Sequence, residues 1–149
     1  MFLVIEGIEG AGKTTASNFI RKELEESGIE VIHSREPGGT GLGEEIRRLL
    51  LNPNTTMKEE ATLLLYMAAR AHNLTEKIEP ALEEGKVVLC DRYFDSTVAY
   101  QGIGQGMGEK FCRDLHETVF GNRRNNGNPD YVIILLVSPK VSRERVASR

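Results

Sequence analysis

The chain opens on an unbroken apolar run, Phe2-Leu3-Val4-Ile5, which meets Glu6 and then Gly7. A short run without alternation predicts a strand buried on both faces. After the glycines, Ala16, Phe19, Ile20 and Leu24 recur at helical spacing, and Gly28 stands where that helix stops. Residues 29–33 form a second predicted strand. Residues 36–41 carry three glycines and a proline and therefore predict a turn. Helical character resumes over 42–51 and ends at Asn52-Pro53-Asn54. Thr56 and Glu59 have the spacing of a capping box, with Thr56 at the N-cap.

The helix that follows has two stripes. Ala61, Leu64, Leu65, Ala68 and His72 form one; Leu63, Tyr66, Met67 and Arg70 form the other. One stripe is core, and the other needs a partner or ligand. Residues 86–90 predict a third strand, 102–108 a flexible glycine loop, and an amphipathic helix runs to about Phe120. Residues 122–128 read as a polar loop, 131–137 as a fourth strand, and 141–149 as the start of a further helix. Strands alternating with helices of this length predict α/β architecture, a doubly wound parallel sheet with helices on both faces.

The chain has 149 residues, one domain's worth, with 40% hydrophobic and 28% charged residues, as in ordinary globular proteins. Nineteen basic against 22 acidic residues give a net charge of -3, which supplies no bulk attraction for a nucleic-acid backbone. Two cysteines exclude a disulfide scaffold and favour a reducing compartment. The start lacks a basic segment and is too short for a signal peptide or membrane span. The expectation is a cytoplasmic protein with no membrane partner.

Gly7-Ile8-Glu9-Gly10-Ala11-Gly12-Lys13-Thr14 matches G-x-x-x-x-G-K-[ST] in full, between a predicted strand and a predicted helix. The glycines let backbone N–H groups converge on phosphate oxygens, and the helix N-terminus adds its own. Lys13 would reach the β- and γ-phosphates, and the Thr14 hydroxyl would ligate Mg²⁺. Asp91 closes the third apolar run, at the strand edge where open parallel sheets bind ligands. Its carboxylate suits Mg²⁺ or its waters, and the adjacent Arg92 suits a phosphate.

Arg35 stands similarly after the second strand. Lys13, Arg35 and Arg92 together exceed what one triphosphate requires, so a second phosphorylated ligand is expected. Tyr66 and Arg70 lie four residues apart and meet on one helix face. The pair suits either ordinary packing or stacking and hydrogen bonding to a base. His33, His72 and His116 lack metal-ligand spacing, and Cys112 lacks an activating neighbour.

Four blocks together resemble the bacterial thymidylate kinases. They are the stretch from Ile5 through the P-loop to Thr15, Arg35-Glu36-Pro37-Gly38-Gly39-Thr40, Tyr66-Met67-Ala68-Ala69-Arg70-Ala71-His72, and the stretch from Asp91 to Gly102. The resemblance runs through nearly the whole chain and implies a P-loop nucleoside-monophosphate kinase that transfers the ATP γ-phosphoryl group to dTMP. It implies that the P-loop with Thr15 binds ATP, that Glu9 contacts the deoxyribose 3′-hydroxyl, and that Arg35 and Arg92 hold the dTMP phosphate. Asp91 would organise Mg²⁺, Tyr66 would stack on thymine, and Arg70 would donate to its carbonyl. Ser96, Thr97 and Gln101 would line the base pocket, and Tyr100 would lie where a ribose 2′-hydroxyl would collide. A homodimer is also implied.

Transfer of this kind needs alignment and cation density rather than a general base, because a monophosphate is already a nucleophile. One family branch draws part of that density from an arginine inside the P-loop. Gly10 occupies that position here, resembling the branch whose arginines come from a lid. The lid would begin near Arg143, Arg145 and Arg149, so residues 1–149 read as the kinase domain without lid or C-terminal strand and helix. Leu136 stands where the family usually has an acid, and residues 122–128 are longer than usual. The rival expectations are another P-loop nucleotide or nucleoside kinase, or a nucleotide-binding module with weak catalysis.

Overall fold

The structure is a computed structural model and describes residues 1–148. Strands β1 (Phe2–Glu6), β2 (Val31–Arg35), β3 (Val87–Asp91) and β4 (Tyr131–Ile134) form one sheet in the order β2-β3-β1-β4, all neighbours parallel. The two unbroken apolar runs take the central positions, where both faces are covered. Leu3, Ile5, Val87 and Leu89 face helix α1 (Lys13–Glu26) through Ala16, Ile20 and Leu24. Phe2, Val4, Val88 and Cys90 face the larger cluster on the other side. Phe19, on the predicted stripe, points to solvent instead. The doubly wound sheet is thus as expected.

Several boundaries move. Strand β2 lies two residues later than predicted, so Arg35 is its last residue and pairs in register with Asp91. Helix α2 (Gly41–Leu51) is capped by Thr40, whose Oγ1 accepts from the Gly43 N–H at 3.1 Å. Helix α3 (Glu59–Asn73) begins after Lys58 with no side-chain cap, so the predicted capping box does not form. Glu59 and Glu60 serve its positive end instead.

Helix α3 buries Leu63, Met67 and Arg70, whereas Leu64 is exposed. The less aliphatic stripe faces inward because Arg70 finds a buried anion there. A π-helical turn (Leu74–Ile78) and helix α4 (Glu79–Glu83), neither of them expected, carry the chain to β3. The short helix α5 (Phe94–Thr97) continues as a π-helix (Val98–Gly104), so the predicted glycine loop is partly helical. Gly102 is buried there, where a Cβ would sit 3.4 Å from the Cys112 sulfur of α6 (Glu109–Phe120). β4 ends at Ile134 because its partner β1 turns into the P-loop. α7 (Pro139–Ala147) starts at Pro139, capped by Ser138. The expectation for Arg149 lies outside the described residues.

His116 of α6 is 2% exposed, and among the described residues neither ring nitrogen has a hydrogen-bond partner of good geometry. It stacks on Phe94 with centroids 4.1 Å apart. Burial, aided by the charge of Arg70 and opposed more weakly by the polar groups of Asn126 and Asn128, depresses its pKa to about 4. The unfolded chain therefore binds the extra proton between about pH 6.5 and 4, and stability falls as pH falls through that window. Urea unfolding at pH 7 and pH 4.5 measures this; His116→Leu flattens the difference, by up to about 3 kcal/mol.

Candidate active site

The P-loop joins β1 to α1. Gly12 takes φ 98° as it turns the chain into the helix, and Gly10 takes φ 75°. A Cβ on Gly10 would lie 2.8 Å from the Ser142 carbonyl oxygen, because α7 rests on the loop. Ser142 Oγ donates to the Glu9 carbonyl at 2.7 Å, and Arg145 Nη1 donates to the Gly10 carbonyl at 3.1 Å. Lys13 Nζ donates to the carbonyls of Gly7 at 2.9 Å and Ile8 at 3.2 Å. Burial and then Arg92 lower its pKa, opposed by Asp91, Glu6 and Glu9.

Across the sheet edge stand Arg35, Asp91 and Arg92. Arg35 is held in a two-pronged pair by Glu44, at 3.2 and 2.7 Å, and Glu44 also accepts from the Gly39 N–H at 2.9 Å. These bonds hold the Glu44 carboxyl below its ordinary pKa. Asp91 Oδ1 is buried and has no hydrogen-bond partner among the described residues. Arg92 sits at φ 67° and donates from Nη1 to Ser96 Oγ at 3.1 Å and Tyr100 Oη at 3.4 Å.

Arg70 is 1% exposed. Its Nε donates to Glu36 at 2.8 Å and its Nη2 to Thr97 Oγ1 at 2.9 Å. The guanidinium lies 4.8 Å over Tyr93 and 5.6 Å over Phe94, so these rings rather than Tyr66 pack against it. Burial pushes the Glu36 pKa up while Arg70 pulls it down. Asn73, bonded to Ser34 at 2.8 Å, reaches the second Glu36 oxygen at 3.4 Å. His33 bonds Ser17 and His72 bonds Thr40, so both histidines have structural partners.

A cavity of about 580 Å³ connects these groups, within the size range of small-molecule sites. Glu9, Gly10, Gly12, Lys13 and Thr14 line one end, with Arg35, Asp91 and Arg92 beyond them. Tyr66, Arg70, Ser96, Thr97, Tyr100 and Gln101 line the other end. Gly7, Ile8 and Ala11 of the loop, and Thr15 in the first turn of α1, do not line the cavity. The sequence reading did not assign Glu6, Glu36, Glu44, Arg47 or Asn73. A signal existed for Glu6 and Glu36: each carboxylate adjoins a motif, one ending an apolar run and the other preceding Pro37.

Among the described residues no group of three His, Cys, Asp or Glu could enclose a metal. Mg²⁺ needs none, since it takes one or two protein oxygens and completes its shell with phosphates and water. The unpartnered Asp91 oxygen and the Thr14 hydroxyl, lining the same cavity, fit that requirement.

A family model described as "Thymidylate kinase" matches residues 5–149. The thymidylate kinase of Chlamydia muridarum is 52% identical over 122 residues, covering 82% of this chain and 60% of that protein. The Hahella chejuensis thymidylate kinase is 47% identical over 150 residues, covering 100% and 70%. The crystal structure of thymidylate kinase from Ehrlichia chaffeensis matches with a TM-score of 0.83 at 37% identity, over 99% of this chain and 82% of that one. Measured against the two curated relatives, the chain spans 60% and 70% of their length. The fold is that of a P-loop nucleoside-monophosphate kinase.

Proposed function

The chain belongs to the thymidylate kinase family, and from that premise we propose that it transfers the ATP γ-phosphoryl group to dTMP, giving dTDP and ADP. The observation that carries this reading is the continuous cavity from the P-loop, past Arg35 and Arg92, to the buried, ion-paired Arg70. A triphosphate fits at one end, a monophosphate in the middle and a base at the far end.

In this reading the P-loop N–H groups and Lys13 hold the donor phosphates, with Lys13 exchanging the Gly7 and Ile8 carbonyls for phosphate oxygens. Thr14 and Asp91 would hold Mg²⁺, which when bound would supply positive charge at the donor phosphates. Arg35 and Arg92 orient the dTMP phosphate in line with the donor, and Glu9 takes the 3′-hydroxyl. Tyr66 stacks on thymine. Arg70 is fixed by Glu36 on one edge and donates to a base carbonyl with its remaining N–H groups. Thr97 and Gln101 close the base pocket.

Gly10 supports the branch without a P-loop arginine, since the Ser142 backbone occupies the space a side chain there would enter. A homodimer is part of the reading. Exposed Leu42, Leu49 and Leu64 on α2 and α3 support it. The two free, buried cysteines support a place in the cytoplasm. No helix among the described residues is long and apolar enough to cross a membrane.

Tyr100 supplies the sugar discrimination. Tyr100→Ala narrows the preference for dTMP over 5-methyl-UMP in kcat/KM by about tenfold or more, because removing the ring removes the collision with a 2′-hydroxyl. Unchanged discrimination removes Tyr100 from the sugar pocket. A panel of acceptors (dTMP, dUMP, dCMP, dAMP and dGMP, with thymidine as the phosphate-free control) tests the whole reading. The expected result is dTMP first and no turnover of thymidine. Preference for another monophosphate, or for the nucleoside, refutes it.

A further inference from the structure

We propose that Glu6 is a positioning residue for Arg92, acting through the Ser96 hydroxyl. The proposal rests on the reading of Arg92 as the holder of the acceptor phosphate. Glu6 ends β1, immediately before the P-loop, and is 6% exposed. It makes no ion pair among the described residues, so its carboxylate is satisfied by hydrogen bonds alone. All three come from the segment that carries Arg92. Oε1 accepts from the N–H groups of Tyr93 at 2.8 Å and Ser96 at 3.2 Å, and Oε2 accepts from Ser96 Oγ at 2.7 Å.

The polarity of this relay is fixed. A serine hydroxyl has one proton, and an ionised carboxylate only accepts. With that proton given to Glu6, Ser96 Oγ offers only lone pairs on its other side, where Arg92 Nη1 donates to it at 3.1 Å. The same carboxylate secures the backbone next to Arg92, which holds a left-handed φ of 67° that only a surrounding bond network sustains. The Arg92 N–H donates to Ile5 at 3.0 Å and the next N–H, of Tyr93, to Glu6. One buried carboxylate thus links the strand that feeds the donor-phosphate loop to the arginine proposed for the acceptor phosphate.

Glu6→Gln tests the relay with little change of shape. The glutamine oxygen must stay on the two N–H groups, so its NH₂ faces Ser96 and donates where Glu6 accepted. The Ser96 hydroxyl is then released from donating to residue 6 and is free to turn its proton toward Arg92. Ser96→Ala removes the relay and leaves both backbone bonds to Glu6 intact, which keeps the test open if Glu6→Gln fails to fold. Affinities for dTMP and thymidine are measured by calorimetry on each variant, alone and combined with Arg92→Ala.

The expected result is a loss of about tenfold in dTMP affinity for each single variant. Thymidine affinity falls far less than dTMP affinity, the KM for ATP stays unchanged, and neither variant causes further loss of dTMP affinity in the Arg92→Ala background. Unchanged dTMP affinity overturns the proposal. So does an equal loss for thymidine, or an undiminished loss without Arg92, since either makes Ser96 a base-pocket or folding residue. Turnover of dTMP by the unsubstituted protein is the separate control, and its absence refutes the functional reading rather than the relay.

Discussion

Lys13→Ala lowers the single-turnover rate of phosphoryl transfer by about 10²-fold or more and leaves dTMP affinity near its original value. The rate loss follows from removing one preorganised charge donor, worth roughly 2.7–4 kcal/mol at a transition state. The sparing of dTMP follows from the cavity, where Lys13 stands at the P-loop end while Tyr66 and Arg70 stand at the other. The side chain is already partly desolvated and bonded to two loop carbonyls, so its loss removes an anchored group rather than a mobile surface charge. Rapid-quench rates with saturating ATP, beside dTMP titrations, measure both halves. A rate within a factor of a few of the unsubstituted protein's contradicts the P-loop assignment.

Arg70→Ala has the largest expected effect on stability. It leaves Glu36, 5% exposed, without its counter-charge, and Asn73, at 3.4 Å, is then its one side-chain hydrogen-bond partner among the described residues. Breaking a buried pair from one side costs about 3–5 kcal/mol, a large part of the roughly 5–15 kcal/mol that holds a domain together. For a chain of this size that lowers Tm by roughly 6–20 °C.

The pH dependence identifies the cause. Burial raises the Glu36 pKa, and removing Arg70 removes the largest influence that opposes it. The folded variant then binds a proton that the unfolded chain has released, so its stability is lost as pH rises through the folded pKa. The deficit relative to the unsubstituted protein is therefore larger at pH 8 than at pH 5. Adding Glu36→Gln recovers part of the loss at pH 8. A deficit independent of pH, with no recovery, contradicts the account of the pair.

Strand positions and the P-loop were legible because their signals are local. An unbroken apolar run needs both faces covered, and a glycine-rich turn between strand and helix has few other uses. The direction of α3 was not legible. Its aliphatic stripe, with Leu64, looks like core, and only the buried Glu36, distant in sequence, makes Arg70 the inward residue. The capping box failed for a related reason: Thr56 has the right spacing, but α3 begins at Glu59. Thr40, read as part of a turn, caps α2 instead.

The cations of the site could be named from strand ends, whereas the pairing of each with its carboxylate could not. Glu44 reaches Arg35 from one turn inside α2, and Glu6 reaches Ser96 from 90 residues away. Neither distance has a signature along the chain. Ser96, expected in the base pocket, lines the cavity but spends its hydroxyl between Glu6 and Arg92.

The central claim is that this cavity joins ATP to dTMP. Incubation with Mg²⁺, dTMP and ATP labelled in the γ-phosphate, followed by separation of the nucleotides, tests it most directly. The account predicts label in the β-phosphate of dTDP, formed at the rate at which labelled ATP disappears and only when dTMP is present. Label released solely as inorganic phosphate, or dTMP bound without any dTDP formed, would contradict it.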